Sequence, residues 1–215
     1  LTLELYVPRF FLYKITMNLL IATRNRGKLK EIREVLNLDS SIVKSSLDYP
    51  EIPDVIEDKD TLKGNAIKKA CEMANATGCW ALSDDSGLEV EALNGEPGVY
   101  SARYAGENCS YLDNIHKLLY ELDSFENRRA VFRTVLCLVN LVGEVRTIEG
   151  LCKGSIALTP TGTEGFGYDP IFIPDGYKCS FAELATKEKN KISHRGQALT
   201  QAIRQWGSIL SQFNK

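Results

Sequence analysis

Two adjacent aspartates, Asp84 and Asp85, stand one residue after the apolar run Trp80–Leu82. Adjacent ionised carboxylates repel each other and resist burial, so a folded chain needs a compensating partner to keep both in one place. A hard cation such as Mg²⁺ supplies that compensation and commonly holds a phosphate-bearing ligand as well. A solvated Asp-Asp turn is the alternative, because Asp, Ser and Gly all form turns. We expect the strand to end at Leu82 and the aspartates to occupy the turn that follows.

A basic turn, Thr23–Lys28, lies between an apolar run and a helical pattern. At such a place backbone N–H groups and the positive end of a helix can hold a phosphate. The turn is superficially similar to a Walker A loop, but the leading Gly is missing and Leu29 stands where Ser or Thr would follow the Lys. Three cations at a helix N-terminus oppose the helix dipole, and a bound anion would offset that. We therefore favour an anion-binding turn over an ordinary basic turn.

Two further segments could carry chemistry. Gly165–Pro170 combines two glycines, two aromatic residues and a carboxylate. Its aromatic rings could stack on a nucleobase and Asp169 could accept from a ring N–H, although a turn with one aromatic packed inward is the alternative. Lys187–Arg195 is a second basic cluster at a helix start, where a solvated charged face is the usual explanation and Ser193 is expected to be the N-cap.

The elements that must position these residues alternate between strands and helices early in the chain, and a hairpin follows late. This order predicts an α/β fold with a mixed sheet flanked by helices. In the first part of the chain we expect a strand at 18–22, a helix with Leu29, Ile32, Val35 and Leu36 on one face, a weak strand at Ile42–Val43 and an acidic loop at 50–60. A helix from Leu62 to Gly78, a strand at Trp80–Leu82, a helix capped by Ser110 and a hairpin of 130–141 and 144–151 follow. A final helix begins near Ser193 and is expected to bury Leu199, Ala202, Ile203, Trp206 and Leu210.

Length and charge predict one soluble globular domain. The 215 residues carry 26 basic and 28 acidic side chains, a formal net charge of −2, which gives no global attraction to nucleic acid or to an anionic membrane. Six scattered cysteines without a CxxC pair argue against structural zinc and fit reduced thiols in the cytoplasm. No apolar run is long enough to span a membrane. We interpret residues 1–16 as an N-terminal extension outside the core, with an extra strand or a docked arm as the alternative, and residues 17–215 as the single domain.

The motifs are more specific together than singly. In chain order they are Thr-x-Asn-x-x-Lys at 23–28, Ser-Asp-Asp-Ser-Gly-Leu at 83–88, Tyr-Ser-Ala-Arg-Tyr at 100–104, Gly-Phe-Gly-Tyr-Asp-Pro at 165–170 and Ser-His-Arg-Gly-Gln-Ala-Leu at 193–199. From residue 17 to about residue 213 the chain resembles the inosine/xanthosine triphosphate pyrophosphatase family. The resemblance implies a homodimeric α/β enzyme with an elongated mixed sheet and a central substrate cleft. It also implies Mg²⁺-dependent hydrolysis of ITP, dITP and XTP to the monophosphate and pyrophosphate.

The resemblance further implies a role for individual residues. Asp85 and Lys69 would be catalytic, and Asp85 and Glu57 would bind Mg²⁺. Gly64 stands where family members often carry Glu, so we expect no third acidic ligand there. Substrate would be bound at the phosphates by Thr23, Asn25 and Lys28, at a further contact by Ser86, and in a base pocket by Phe166, Gly167, Tyr168, Asp169, Lys189, His194 and Arg195.

Two alternative functions come from different classes. One is a hydrolase that clears modified pyrimidine or 7-methylguanine triphosphates, and the base pocket that the resemblance implies argues against a pyrimidine enzyme. The other is a non-catalytic nucleotide-binding regulator, and the combination of Asp85 with Lys28 and Lys69 argues against it, because binding alone does not need a water-activating carboxylate. A pocket that presents Lys189 or Arg195 to the 6-keto oxygen of hypoxanthine would reject adenine, which carries an amino donor at that position.

Overall fold

The computed structural model describes residues 18–38 and 43–213, so the expected extension at 1–16 lies outside the described residues. Within those ranges six strands form one mixed sheet in the order β2-β1-β3-β4-β5-β6. β1 pairs in parallel with β2 and β3, whereas β3, β4, β5 and β6 pair antiparallel in succession. The strands are β1 (Leu19–Ile21), β2 (Lys44–Ser45), β3 (Trp80–Val90), β4 (Arg129–Val139), β5 (Val145–Ile156) and β6 (Phe172–Pro174).

Five α-helices in the described residues flank this sheet, and the α/β prediction is confirmed. They are α1 (Arg26–Leu36), α2 (Leu62–Thr77), α3 (Tyr111–Glu121), α4 (Thr186–Ile192) and α5 (His194–Leu210). Side-chain oxygens of Ser110 and Ser193 cap α3 and α5, as the sequence predicted. Gly78 ends α2 with φ of 65°, a left-handed conformation that favours glycine.

Helices cover both faces of the sheet, as the alternation of side chains in β1 shows. Leu19 and Ile21 pack with α1 and α5 on one face. Leu20 and Ala22 pack with α2 on the other face. Because successive strand residues point to opposite sides, three consecutive buried positions require cover on both sides. No helix in the described residues is long and apolar enough to cross a membrane.

The long strands β3, β4 and β5 extend beyond this two-faced core. Their far halves contribute Leu88, Phe132 and Cys152 to a second core, which Ile115 and Leu118 of α3 cover. The sheet is therefore elongated. Its middle, near residues 84–86 of β3, lies between the two cores.

Three predictions about local structure are wrong. β3 does not end at Leu82 but runs on to Val90, because Asp84 pairs with Leu136 of β4 and the ladder continues beyond it. The weak strand predicted at Ile42–Val43 forms at Lys44–Ser45, and Ile42 itself lies outside the described residues. Ile203, which we expected to be buried, is 45% exposed. It lies outside the face of α5 that packs against the core.

Candidate active site

The basic turn is built around the N-cap of α1. Asn25 Oδ1 accepts hydrogen bonds from the N–H groups of Gly27 and Lys28, at 2.9 and 3.1 Å. Thr23 Oγ1 accepts from the N–H of Asn25 at 3.2 Å. Because α1 begins at Arg26, Lys28 lies in its first turn, and its Nζ reaches Asp84 Oδ2 at 3.2 Å. The predicted phosphate turn and the predicted aspartates are therefore in direct contact.

The two aspartates have opposite environments although they are neighbours in β3. Adjacent strand residues point to opposite faces, so Asp84 meets α1 and α5 whereas Asp85 lies on the side of α2. Burial opposes ionisation of Asp84, but Lys28, Arg195 and Lys69 together hold its pKa well below the usual range. Burial raises the pKa of Asp85 to about 6, and Lys28 and Lys69 oppose this increase. Asp84 is therefore a fixed negative charge, whereas Asp85 can exchange a proton near neutral pH.

Six buried or nearly buried charges alternate in sign through the centre of the molecule. Lys189 Nζ donates to Asp169 Oδ2 at 2.6 Å and to Glu31 Oε1 at 2.8 Å. Arg195 donates to Glu31 from Nη1 and to Asp84 Oδ2 from Nη2, the latter at 2.9 Å. We call this arrangement the charge chain, and its members in order of contact are Asp169, Lys189, Glu31, Arg195, Asp84 and Lys28.

An aromatic cavity of about 110 Å³ lies beside the charge chain. Phe166 closes one side, and its ring is so near Gly27 that a Cβ at that position would stand 2.4 Å from Phe166 Cδ1. Lys189 Nζ lies 5.0 Å from the centroid of the same ring, a cation–π contact. Tyr168 is buried and donates its hydroxyl hydrogen to the carbonyl oxygen of Ser101 at 3.0 Å. Tyr168 is thus a fixed wall of this cavity.

His194 also lines the aromatic cavity and is held as a neutral ring. Its imidazole stacks on Phe132 with centroids 4.5 Å apart and planes at 10°. Burial lowers the pKa of His194 well below its usual value, and the adjacent cations Arg195 and Lys189 lower it further. The buried Nδ1 atom has no hydrogen-bond partner among the described residues.

A second, cationic cavity of about 350 Å³ adjoins the first. Four cations line it, together with the carboxylates of Asp54 and Glu57. Lys69 Nζ pairs with Glu57 and also donates to the carbonyl oxygen of Asp84 at 3.1 Å. The four cations are Arg24, Lys28, Lys69 and Arg103. This excess of positive charge suits a polyanion such as a phosphate chain.

Every site residue predicted from the sequence borders one of the two cavities. The aromatic cavity is lined by Asn25, Lys28, Glu57, Asp85, Ser86, Phe166, Gly167, Tyr168, Asp169, Lys189, His194 and Arg195. The cationic cavity adds Thr23 and Lys69 and shares Asn25, Lys28 and Glu57 with the first. Sequence reasoning missed Glu31 of the charge chain and Tyr111, which lines the aromatic cavity. Glu31 lies three residues after Lys28 on the same helix, and this spacing is the one sequence feature that associates Glu31 with a predicted site residue.

The residues present fit a Mg²⁺ ion shared with substrate. Asp84 Oδ1 and Asp85 Oδ2 are buried without a hydrogen-bond partner among the described residues, and Glu57 lies close enough to contribute to the raised pKa of Asp85. In residues 18–38 and 43–213 no group of three or more His, Cys, Asp or Glu side chains forms a metal site. Mg²⁺ is usually held by one or two carboxylates together with substrate phosphates, and the pair Asp85 and Glu57 fits that pattern.

Comparison with known proteins gives consistent relatives. A family model described as the Ham1 family matches residues 19–205. The dITP/XTP pyrophosphatase of Geobacter sulfurreducens is 49% identical over 183 residues, which are 84% of this chain and 92% of that protein. The dITP/XTP pyrophosphatase of Flavobacterium johnsoniae is 48% identical over 187 residues, 87% of this chain and 96% of that protein.

Solved structures agree with the sequence comparison. A HAM1 protein from Coxiella burnetii superposes with a TM-score of 0.79 at 40% identity, covering 91% of this chain and 99% of that one. The Ham1 protein of Staphylococcus aureus gives the same TM-score at 38% identity, covering 89% and 99%. The fold, the adjoining cavities and these matches lead to one conclusion: the chain belongs to the Ham1 family.

Proposed function

We propose that this protein hydrolyses the non-standard purine nucleoside triphosphates dITP, ITP and XTP to the monophosphate and pyrophosphate. The names of its relatives from Geobacter sulfurreducens and Flavobacterium johnsoniae support this substrate class. The observation that carries the proposal is the position of Asp85 on the wall of an aromatic cavity that joins a cationic one. A base, a polyphosphate and a water-activating carboxylate each have a place there.

The cationic cavity would hold the phosphates. Lys28 and Lys69 supply charge, and the capped N-terminus of α1 adds the positive end of a helix dipole. Burial opposes the charge of Lys69, but Glu57, Asp85 and Asp84 raise its pKa overall, so the ammonium stays protonated. Both lysines would stabilise the negative charge that accumulates on the departing pyrophosphate.

Asp85 would act as the general base. A pKa of about 6 leaves it mostly ionised at neutral pH yet basic enough to accept a proton. The oxygen of a water molecule would form a bond to the α-phosphorus while its proton passes to Asp85. The bond between the α-phosphorus and the bridging oxygen would break, and pyrophosphate would leave with that oxygen and its electron pair. Bound Mg²⁺, held by Asp85 and Glu57, would neutralise phosphate charge.

The aromatic cavity would read the base through Lys189 and Asp169. An ammonium has three N–H donors, and Lys189 uses two of them on Glu31 and Asp169. The third would donate to the 6-keto oxygen of hypoxanthine or xanthine. Asp169 Oδ2 is occupied by Lys189 and by the N–H of Phe166, which leaves Oδ1 as the acceptor for N1–H of the base. Adenine would place a donor against a donor at the 6-position.

The family resemblance also supports two proposals about the whole protein. We propose that it is a homodimer and that it works in the cytoplasm, on the nucleotide pool. Gel filtration with light scattering tests the first. Fractionation of cells that express the chain with a detectable tag tests the second.

A substrate panel with product identification tests the proposed activity. Purified protein is incubated with Mg²⁺ and, in separate reactions, with dITP, ITP, XTP, ATP, GTP and CTP, and both pyrophosphate and orthophosphate are quantified. We expect stoichiometric pyrophosphate from the first three substrates and strong rejection of ATP. Release of orthophosphate with a nucleoside diphosphate would place the protein in another class of hydrolase, and a preference for CTP would exclude the purine assignment.

A further inference from the structure

Tyr111 lies at the entrance to the aromatic cavity and contacts two residues that the proposed function uses. Its Oη accepts a hydrogen bond from Asn25 Nδ2 at 3.0 Å. Its ring centroid lies 6.3 Å from that of Phe166, with the planes tilted at 41°. Tyr111 therefore bridges the cap of α1 and the aromatic loop from a third element, α3.

The position of Tyr111 on α3 is fixed by its neighbours. It is the first residue of the helix, and Ser110 before it forms a reciprocal capping box with Asp113. One turn further, Asn114 is buried, accepts from the N–H of Ala105 at 2.7 Å and donates to the carbonyl oxygen of Ala102 at 3.2 Å. Ala102 borders both cavities, so α3 is anchored to their common wall. The phenol is held at this place by the fold.

The hydroxyl hydrogen of Tyr111 is not used in the hydrogen bond with Asn25. Asn25 Oδ1 is occupied by two helix N–H groups, so its Nδ2 is the group that reaches out of the cap. Tyr111 Oη accepts from that Nδ2 and therefore can still donate its own hydrogen. Among residues 18–38 and 43–213 that hydrogen has no protein acceptor, and the side chain is partly exposed. An incoming ligand oxygen can take it.

Asn25 and Lys28 line both cavities, so Tyr111 Oη lies beside the junction between them. If the base occupies the aromatic cavity and the polyphosphate the cationic one, the phosphate nearest the sugar lies at this junction. We infer that Tyr111 binds substrate by donating its hydroxyl hydrogen to an oxygen of that phosphate. The inference rests on the proposed function, because only a nucleotide that spans both cavities brings such an oxygen to the junction.

The variant Tyr111→Phe tests the inference, because it removes the hydroxyl and keeps the ring. The matched control is Tyr120→Phe on the same helix, whose side chain is 81% exposed and makes no hydrogen bond among the described residues. Tyr111→Phe loses the hydrogen bond from Asn25 and, with substrate bound, a hydrogen bond to a charged group, whereas Tyr120→Phe loses neither. Because a bond to a charged group is the stronger of the two, we expect kcat/KM for dITP to fall about 10- to 150-fold in Tyr111→Phe, mainly through KM. ITP and dITP should lose activity by the same factor.

Binding without turnover separates the phosphate from the sugar and the base. Titration calorimetry in the presence of EDTA measures the affinities of IMP, which carries this phosphate, and of inosine, which does not. We expect Tyr111→Phe to weaken IMP binding by a similar factor and to leave inosine binding unchanged. Equal losses for IMP and inosine would overturn the inference in favour of a sugar contact. So would a larger loss with ITP than with dITP, or a variant indistinguishable from Tyr120→Phe.

The proposed function can fail separately from this inference. If the unmodified protein releases no pyrophosphate from dITP or XTP, the proposed function fails and the inference falls with it. If the unmodified protein is active and Tyr111→Phe retains wild-type KM, only the inference fails. Thermal melting of both variants should agree with that of the unmodified protein within about 2 °C, because substitutions at exposed positions seldom change stability by more than about 0.5 kcal/mol.

Discussion

Arg195 donates two hydrogen bonds to a single oxygen of Asp84, from Nε at 3.0 Å and from Nη2 at 2.9 Å. Its remaining hydrogen bonds go to Glu31 and to the hydroxyl of Ser86. The sequence led us to expect that Lys189 or Arg195 donates to the 6-keto oxygen of the base. In the structure four of the five guanidinium N–H donors already have protein acceptors and one on Nη1 remains, so we now expect Arg195 to act mainly by positioning Asp84 and Glu31.

The first prediction concerns Arg195→Gln. Removing one partner of a buried ion pair typically costs about 3–5 kcal/mol, because the other charge stays buried and uncompensated. We expect a decrease of that size in the free energy of unfolding, measured by urea denaturation. Arg133→Gln is the matched control, because Arg133 forms partly exposed ion pairs with Glu89 and Glu149. Its loss should stay below about 1 kcal/mol.

Substrate selectivity separates positioning from base reading. If Arg195 acts through Asp84 and Glu31, kcat/KM for ITP and for ATP should fall by the same factor in Arg195→Gln. Lys189→Gln should instead narrow the ratio of ITP to ATP activity, because the third N–H of Lys189 is the donor that the proposed function assigns to the base. A selective loss of ITP activity in Arg195→Gln would instead show that Arg195 contacts the base directly.

The second prediction is that Asp85→Asn abolishes nearly all turnover and leaves the fold intact. The amide keeps the shape of the carboxylate but cannot accept a proton from water, and loss of a positioned general base commonly lowers kcat by about 10²- to 10⁴-fold. Pyrophosphate release measures this loss. Asp175→Asn is the control, because Asp175 pairs with Arg129 at the exposed surface. A kcat within a factor of two of wild type would remove Asp85 from the mechanism.

The third prediction concerns pH and His194. Burial, with Arg195 and Lys189 nearby, holds the pKa of folded His194 well below 6.5. Below pH 6.5 the unfolded chain binds a proton that the folded chain does not, so His194 makes stability fall as pH decreases. His194→Phe keeps an aromatic ring for Phe132 to stack on and removes this titration. We expect the wild-type protein to lose up to about 1.4 kcal/mol more per pH unit than this variant between pH 6.5 and 5.

Urea denaturation at several pH values measures both proteins. A stability difference between wild type and His194→Phe that stays constant with pH would show that folded His194 titrates like the unfolded residue.

The fourth prediction compares two helical glycines. A Cβ at Gly27 would overlap the ring of Phe166, whereas a Cβ at Gly207 of α5 would meet nothing within 4 Å. Gly207→Ala should therefore stabilise the protein by about 0.5–1 kcal/mol with unchanged KM. Gly27→Ala should displace Phe166 and raise KM for dITP about tenfold, while kcat for bound substrate changes much less. Equal KM values in the two variants would exclude Phe166 from base binding.

The fold was largely predictable because most of its elements are locally specified. The caps Ser110 and Ser193 and the left-handed Gly78 marked helix ends from sequence alone. The length of β3 was not predictable, because Asp84 favours a turn by its local preference. Its place in a strand depends on Lys28 and Arg195, which are distant in sequence and supply the charge that allows burial.

The site residues were predicted where they belong to a motif and missed where only the tertiary structure reveals them. Glu31 lies on a helix that also carries Lys28 and Lys30, a pattern typical of a solvated charged face. Nothing local indicates that Lys189 and Arg195 pack against it. Tyr111 follows a helix cap and lies outside every motif. Its partner Asn25 is 86 positions away, and such a contact follows only from the folded chain.

The charge chain restricts how sequences of this kind can diverge. Its three carboxylates and three cations come from five elements of the chain and balance one another, so any single replacement by a neutral residue leaves an uncompensated charge in the interior. A second change that restores the balance would recover part of the loss, since contacting residues are energetically coupled. Substitutions in this cluster should therefore accumulate in compensating pairs during evolution, whereas exposed positions on the same helices drift one at a time.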